Sequence, residues 1–310
     1  MRARPALIYA ALISVLVAAA ARADSMVDDI WRLPWREAGG SLSGLVVSAD
    51  GSEFVAVSDK GRIVEGRLQR DRDGTGQITT IEITHQGPLR DGNGVPVSGR
   101  AIDAEGLTRL PDGSLLVSFE AEHRIDRYET ADAAATQIEN PRDFRGLQNN
   151  SGLEALFSDP DGTVYAIPER SGRLDRPFPV YRYRTGRWSI PFTIPRRPPF
   201  LPVGADIGPD GRLYLLERHF HGFPGFSTRI RRFTIQGDTI VEDGTLFESS
   251  AGEFDNLEGL SAWRAPDGTL VLTTISDDNN SIFQRTEFVE FRLTSNTRLR
   301  QKRPNVRVSR

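Results

Sequence analysis

The sequence repeats one short unit five times, and each unit has an apolar stretch, an Asp-Gly pair and a second apolar stretch. The pairs begin at Asp50, Asp112, Asp161, Asp210 and Asp267, about 50 to 60 residues apart. Asp-Gly is favoured in tight hairpin turns because glycine accepts a positive φ and aspartate can bond to its own backbone. Each unit therefore predicts two antiparallel strands joined by a tight turn.

Further strands follow the hairpin in each unit. Third strands are predicted at 62–68, 124–128, 180–183, 229–235 and 288–293, and fourth strands at 77–84, 188–194 and 239–247. Four antiparallel strands make one propeller blade, so the sequence predicts an all-β fold, a β-propeller of five four-stranded blades. Residues 30–35 offer a strand that would complete the last blade and close the ring. A six-bladed propeller is the alternative, if a degenerate unit lies within 78–100.

The first 23 residues have the pattern of an export signal. Two arginines precede an apolar stretch from Ala6 to Ala20, and Ala21-Arg22-Ala23 matches a signal peptidase site. The stretch is shorter than the roughly 20 residues that span a bilayer, although a retained anchor is the alternative. We therefore expect a periplasmic or secreted bacterial protein with no membrane span after signal removal. The propeller is expected over 24–297 and a basic, disordered tail over 298–310.

The composition excludes several kinds of partner and chemistry. The formal net charge is -3 and becomes more negative without the signal arginines, which argues against nucleic acid and anionic membranes. The chain has no cysteine, so disulfides and thiol chemistry are excluded. No G-x-S-x-G elbow, phosphate-binding glycine loop, H-E-x-x-H or dinucleotide-binding motif occurs. We expect a monomer whose partner is a small-molecule ligand or substrate.

Acidic residues recur at both ends of the repeated hairpin. First strands of propeller blades line the central channel, so equivalent positions in successive blades should meet at one mouth. The start of the first strand predicts one ring, formed by Ser43, Glu105, Glu154, Asp206 and Glu258. The end of the second strand predicts another ring, formed by Asp59, Glu120, Glu169, Glu217, Asp277 and Asp278.

Basic side chains are interleaved with these carboxylates. His123, Arg170 and Arg218 each follow a ring residue closely. Clustered carboxylates bind divalent cations, and arginine binds carboxylate or phosphate groups through two hydrogen bonds. The mouth is therefore a candidate site for an anion, or for an anion bridged by a cation. A structural role also fits, because an acidic residue repeated in every blade can bond to the backbone of the next blade.

A second candidate metal site lies in the turn after the third strand of the first blade. Residues 71–82 have the spacing of an EF-hand calcium loop, with ligands expected from Asp71, Asp73, Thr75 and Glu82. Calcium is therefore the candidate cofactor. No helical pattern flanks the segment, and a plain hairpin is the alternative. Residues 222–226 predict an exposed aromatic loop, either a lid or a long hairpin.

Several motifs resemble those of the phytase-like family, described as having the esterase-like activity of phytase. The resemblance rests on Asp103-Ala104-Glu105-Gly106-Leu107, Ser118-Phe119-Glu120 and Leu257-Glu258-Gly259-Leu260, and it covers nearly all of the chain after the signal. It implies an exported bacterial propeller that hydrolyses an ester or phosphoester.

The acidic rings suggest one mechanism for such hydrolysis. In this hypothesis Glu105, Glu154 and Glu258 hold a divalent ion that activates water, and Arg170 and Arg218 neutralise a phosphate. The ligand-binding set is expected to be Glu120, His123, Glu169, Asp206, Glu217, Asp277 and Asp278. A non-catalytic propeller that binds a ligand or partner at the same mouth is the alternative.

Overall fold

The computed structural model describes residues 26–35, 40–71, 75–141, 144, 152–279, 281 and 283–293. The predicted export signal, the predicted tail and Asp73 lie outside these residues, so the first two stay predictions. Within the described ranges, no helix has the length and apolar character needed to cross a membrane.

The described chain forms five four-stranded antiparallel sheets arranged as propeller blades. Blade 1 contains β2 (Leu42–Val47), β3 (Glu53–Ser58), β4 (Arg62–Arg70) and β5 (Ile78–Pro88). Blade 2 contains β6 (Ala104–Arg109), β7 (Leu115–Phe119), β8 (Arg124–Tyr128) and β9 (Thr136–Gln137). Blade 3 contains β10 (Ala155–Ser158), β11 (Val164–Ile167), β12 (Phe178–Arg184) and β13 (Arg187–Ile194). Blade 4 contains β14 (Leu201–Ile207), β15 (Arg212–Phe220), β16 (Phe226–Gln236) and β17 (Thr239–Glu248). Blade 5 contains β18 (Asn256–Arg264), β19 (Leu270–Asp277), β20 (Thr286–Leu293) and β1 (Val27–Trp35).

The first strands of the five blades form a closed ring around the central channel. Strand β2 contacts β6, the contacts continue through β10, β14 and β18, and β18 returns to β2. The five-bladed prediction is confirmed and the six-bladed alternative is wrong. The segment 78–100 supplies the outer strand of blade 1, followed by a loop and a short 3-10 helix, Gly99–Ile102.

The N-terminal strand closes the ring as the sequence predicts. Strand β1 pairs antiparallel with β20, so that Ile30 lies opposite Phe291 and Leu33 lies opposite Phe288. The Trp35 ring, at the end of β1, lies 5.6 Å from the Phe288 ring of blade 5 and 5.7 Å from the Phe54 ring of blade 1. The first and last blades are therefore joined by backbone pairing and by aromatic packing.

The core consists of five buried apolar clusters, one between each pair of neighbouring blades. Side chains alternate between the two faces of a strand, so each central strand supplies the clusters on both of its sides. Burial between blades thus takes the place of the disulfides that the sequence lacks. It also fixes the first strands close together, with their starts at one mouth of the channel.

Candidate functional site

A break in strand pairing occurs at the start of the first strand in four blades. The pairing is interrupted between Leu42 and Gly44, Ala104 and Leu107, Pro202 and Gly204, and Leu257 and Gly259. Such a bulge releases a residue from the ladder and re-aims its side chain. Together with the residue before β10, the released positions that line the channel are Ser43, Glu105, Glu154, Val203 and Glu258.

The glycine after the ring residue is required because the next blade approaches it closely. A Cβ atom on Gly106 would lie 2.9 Å from the carbonyl oxygen of Glu154, and one on Gly204 would lie 2.3 Å from that of Glu258. The repeated X-Gly-Leu motif therefore reflects close contact between blades rather than an unusual φ. The channel is narrow here, with a volume of about 10 Å³, room for about one water molecule.

The pairing register defines the second ring. Backbone hydrogen bonds join Glu120 to Asp103 at 2.8 Å and Glu169 to Gly152 at 3.1 Å, and Arg218 and Asp277 occupy the matching positions in β15 and β19. The second ring consequently contains Asp59, Glu120, Glu169, Arg218 and Asp277. Sequence reasoning missed two residues that face this ring, Asp103 and Asn256. Asp103 could have been found from the sequence, because it is the first residue of the D-x-E-G-L motif.

Two predicted ring residues lie elsewhere. Glu217 is fully buried, and its carboxylate accepts hydrogen bonds from Arg229 at 2.7 Å and from Arg231 at 2.6 and 2.8 Å. Its neighbour Arg218 takes the position at the mouth, because successive residues of a strand point to opposite faces. The ligand-binding assignment of Glu217 is therefore corrected to an ion pair within the protein.

Asp206 lies towards the opposite end of the channel, three residues beyond the ring residue Val203. Its carboxylate accepts a hydrogen bond from the backbone N–H of Ala262 at 2.8 Å and one from Ser261 Oγ at 3.3 Å. Burial raises the pKa of Asp206 to about 7. The sequence alignment of blade 4 was wrong by three residues because this blade lacks the Gly-Leu pair that marks the other first strands.

Three carboxylates converge at the mouth. Asp103, Glu105 and Glu120 are half-buried, and one oxygen of each lies within 4.8 Å of the others. Oxygens that bind Ca²⁺ lie about 2.3 to 2.6 Å from the ion, so atoms at this spacing fit around one cation. The arrangement joins the two ends of one hairpin, since Asp103 precedes β6 and Glu120 follows β7. We call these three residues the acidic triad.

Burial and like charge raise the pKa values of the acidic triad. Burial raises the pKa of Glu105 well above its usual value, and Glu154 and Glu258 raise it further. Burial, followed by the charge of Asp103, raises the pKa of Glu120 to about 7. The pKa of Asp103 is raised by burial and by Asp59. A divalent cation would relieve this repulsion and favour the ionised carboxylates.

Arg218 is the half-buried counter-ion of the mouth. Its guanidinium donates hydrogen bonds to Glu258, to Asn256 Oδ1 at 2.7 Å and to Glu169 Oε1 at 3.5 Å. Burial alone would lower the pKa of Arg218, but the surrounding carboxylates, with Glu258 and Glu154 foremost, together outweigh burial and raise it. Arg218 is therefore permanently charged, and its two terminal nitrogens already donate to Asn256, Glu258 and Glu169.

The other ring acids surround the acidic triad. Burial, then Glu169, raises the pKa of Glu154 well above its usual value. Burial, then Glu258, raises the pKa of Asp277 to about 8. Arg170 is exposed at the rim, and its Nε donates to Glu169 Oε2 at 3.3 Å.

Two further predicted residues have other surroundings. Asp278 accepts hydrogen bonds from the backbone N–H of Ser41 at 3.0 Å and from Thr286 Oγ1 at 3.2 Å, so it links blade 5 to the start of blade 1. His123 lines a separate cavity with Asn140, whose side chain donates to the His123 carbonyl at 2.9 Å. The structure does not bring His123 into the mouth.

The segment that resembles a calcium loop joins β4 to β5, which pair antiparallel. Asp71 accepts hydrogen bonds from Thr75 Oγ1 and from the backbone N–H of Gly76. Glu82 is exposed within β5, opposite Arg67, and the strand carries it away from the turn. Asp71 and Thr75 are in contact while Glu82 lies apart from them, so the described residues do not bring together the ligand set that the EF-hand spacing predicts.

Buried polar atoms beside the mouth lack partners among the residues that the structure describes. They are the hydroxyls of Ser41 and Ser43 and the Oδ1 oxygen of Asp59. Ser43 lines the channel with Glu105 and is almost fully buried. Buried polar atoms are normally hydrogen bonded, so these atoms favour a water, ion or ligand at the mouth.

Comparison with known proteins gives a family. The family model "Phytase-like: Esterase-like activity of phytase" matches residues 37–280. No curated protein shows a significant match. The PQQ-bound aldose sugar dehydrogenase of Streptomyces coelicolor is 13% identical, aligns over 86% of this chain and 99% of its own, and gives a TM-score of 0.45.

Two other solved structures have similar values. A luciferin-regenerating enzyme is 12% identical over 84% of this chain and 94% of its own, with a TM-score of 0.47. A virginiamycin B lyase of Staphylococcus aureus is 13% identical over 84% and 98%, with a TM-score of 0.40. At these identities and TM-scores, the structures carry no argument about chemistry. The family model spans most of the sequence, and the chain therefore belongs to the phytase-like family.

Proposed function

We propose that this protein is a divalent-metal-dependent ester hydrolase whose active site is the acidic mouth. The observation that carries the proposal is the acidic triad, with three carboxylate oxygens within 4.8 Å of one another beside the channel. An all-oxygen donor set suits Ca²⁺, Mg²⁺ or Mn²⁺. The family description, esterase-like activity of phytase, agrees with ester hydrolysis.

The residues of the mouth have separate roles in the proposed hydrolysis. Asp103, Glu105 and Glu120 would hold a divalent cation, which would supply Lewis-acid chemistry for attack of water on the ester carbonyl. Glu154 lines the channel near Glu105 and is the carboxylate that accepts the proton of the attacking water. Its raised pKa brings it closer to the operating pH, as general base catalysis requires.

Arg218 acts as a positioning residue. Its hydrogen bonds to Glu258 and Glu169 hold two neighbouring carboxylates in place and offset part of the negative charge. The proposal thus differs from the mechanism suggested by the sequence, because Asp103 and Glu120 replace Glu154 and Glu258 as metal ligands.

The charge of the mouth favours an uncharged substrate. The carboxylates at or beside it are Asp59, Asp103, Glu105, Glu120, Glu154, Glu169, Glu258 and Asp277. Four basic side chains lie beside these carboxylates: Lys60, Arg100, Arg170 and Arg218. The ionised carboxylates outnumber these bases and one bound dication together, so the dianion of a phosphomonoester is repelled while a neutral carboxylic ester is not.

The test measures hydrolysis of p-nitrophenyl acetate and p-nitrophenyl phosphate. We expect acetate hydrolysis to stop in EDTA, to return with Ca²⁺, Mg²⁺ or Mn²⁺, and to fall by about 100-fold in Glu105→Gln. Glu82→Gln, an exposed acid outside the mouth, is the matched control and should keep full activity. The proposal would be rejected if acetate hydrolysis by the wild-type protein were unchanged by EDTA and hydrolysis by Glu105→Gln equalled that of the wild type.

A non-catalytic binding propeller is the second candidate, and the hydrogen bonds that already tie Arg218 to Glu258 and Glu169 favour it. Metal binding at the mouth without hydrolysis of either ester would select this candidate.

A further inference from the structure

Exposed apolar side chains gather on the same face of the propeller as the acidic mouth. The large apolar side chains that are exposed in the described part of the chain are Val95, Leu174, Ile190, Phe220, Phe223, Val241 and Phe283. Ile190 and Val241 lie on the outer strands β13 and β17. The other five lie in loops or at strand ends on the mouth face.

The topology explains this clustering. The second strand of each blade ends at the mouth, so the connection that follows it must start there. These connections in blades 3, 4 and 5 carry Leu174, Phe223 and Phe283, and Phe220 ends the second strand of blade 4. Apolar side chains therefore border the mouth over three consecutive blades.

The hairpin of blade 4 links the mouth to this apolar border. Phe220 and Phe226 are paired across β15 and β16, and their rings lie 4.9 Å apart. The Phe226 ring lies 6.0 Å from the guanidinium of Arg218 at the mouth. We call residues 220–226 the apolar arm, since the Phe226 and Phe220 rings follow one another outwards from Arg218.

The apolar arm is held by hydrogen bonds at its tip and base. The backbone N–H of His221 donates to the Gly225 carbonyl at 2.9 Å, and that of Gly252 donates to the Phe226 carbonyl at 2.7 Å. The His221 ring also lies within hydrogen-bond distance of Ser227 Oγ, at 2.8 Å. Phe220 and Phe223 are thus presented to solvent by a braced turn. Exposed apolar surface of this kind marks a binding site.

We propose that the apolar arm binds the acyl chain of an uncharged carboxylic ester whose carbonyl group reaches the acidic triad. This inference rests on the proposed function and adds the substrate class. The continuity from Arg218 to Phe220 supports it, because one ligand can span the mouth and the arm. The negative mouth excludes fatty acids and other anions as the favoured occupant.

The test compares p-nitrophenyl acetate with p-nitrophenyl octanoate in the full-length protein. We expect kcat/KM to be at least about tenfold higher for octanoate, since each buried methylene group favours binding. In Phe220→Ser/Phe223→Ser this preference should fall to within about twofold, with acetate hydrolysis unchanged. Both side chains are exposed, so the fold should tolerate their replacement.

Ile190→Ser/Val241→Ser is the matched control, because it removes two exposed apolar side chains away from the mouth. We expect it to keep the preference for octanoate. A preference equal in wild type and in Phe220→Ser/Phe223→Ser would overturn the inference. The inference would also be overturned if sedimentation showed that the variant loses self-association while its chain-length preference stays unchanged. In that case the arm would bind a second copy of the chain.

A separate binding measurement distinguishes failure of the inference from failure of the proposed function. The probe is the neutral dye Nile red, titrated onto the metal-loaded protein. Dye binding that is lost in Phe220→Ser/Phe223→Ser and kept in the control supports the apolar arm even if no ester is hydrolysed. If both esters are hydrolysed and neither variant changes dye binding, the proposed function is kept and acyl-chain binding by the apolar arm is rejected.

Discussion

At the residue scale, the mouth combines carboxylates whose pKa values are raised. Glu120 has a pKa of about 7 and Asp277 one of about 8, and burial is the first cause in both. Without a cation, these carboxyl groups stay protonated in the folded protein at pH values at which the same groups in the unfolded chain are ionised. The folded state then binds more protons than the unfolded state, so the free energy of unfolding falls as pH rises between about 4 and 8.

We predict that the metal-free protein loses thermal stability as pH rises through this window. Thermal unfolding in EDTA should give a lower Tm at pH 8 than at pH 5.5, and Glu120→Gln should reduce that difference because it removes one raised pKa. Added Ca²⁺ should raise Tm more at pH 8, where protons compete less for the carboxylates. An identical pH slope in wild type, Glu120→Gln and the surface control Glu82→Gln would contradict the assigned pKa causes.

At the element scale, a bulge and a glycine at the start of the first strand build the ring. Glu105 and Glu258 each stand directly before a Gly-Leu pair and Glu154 directly after one, and this proximity to Gly-Leu correctly grouped the three residues. Blade 4 has no Gly-Leu pair, so the sequence could not decide whether Asp206 or Val203 is the ring residue. That choice depends on how β14 pairs with β15, and the alternation of apolar residues does not encode this register. The choice between Glu217 and Arg218 failed for the same reason, since a slip of one residue exchanges the faces of a strand.

We predict that Gly106→Ala destabilises the protein by about 1 to 3 kcal/mol, because its Cβ would meet Leu156 at 2.7 Å and the Glu154 carbonyl at 2.9 Å. Denaturant unfolding measures this loss. Gly92→Ala is the matched control, since its nearest neighbouring atom is 3.5 Å away and its φ is not positive. Equal stability of the two variants would contradict the close contact between blades.

At the scale of the whole molecule, ring closure brings the functional residues together. The repeat spacing and the spare N-terminal strand were sufficient to predict five blades and their closure through β1. The mouth itself could be predicted only as two acidic rings. The acidic triad was not predicted because Asp103 lies before the first strand, and it meets Glu120 only through the pairing of β6 with β7, which the hydrogen bond from Glu120 to the Asp103 carbonyl extends by one residue.

The central claim is that the acidic triad binds a divalent cation, and calorimetric titration of Ca²⁺ into EDTA-treated protein at pH 7.5 tests it most directly. We predict one site per chain in wild type and in Glu82→Gln, and loss of that site in Glu105→Gln. Binding that persists unchanged in Glu105→Gln, or the absence of binding by Ca²⁺, Mg²⁺ and Mn²⁺ in wild type, would contradict the claim.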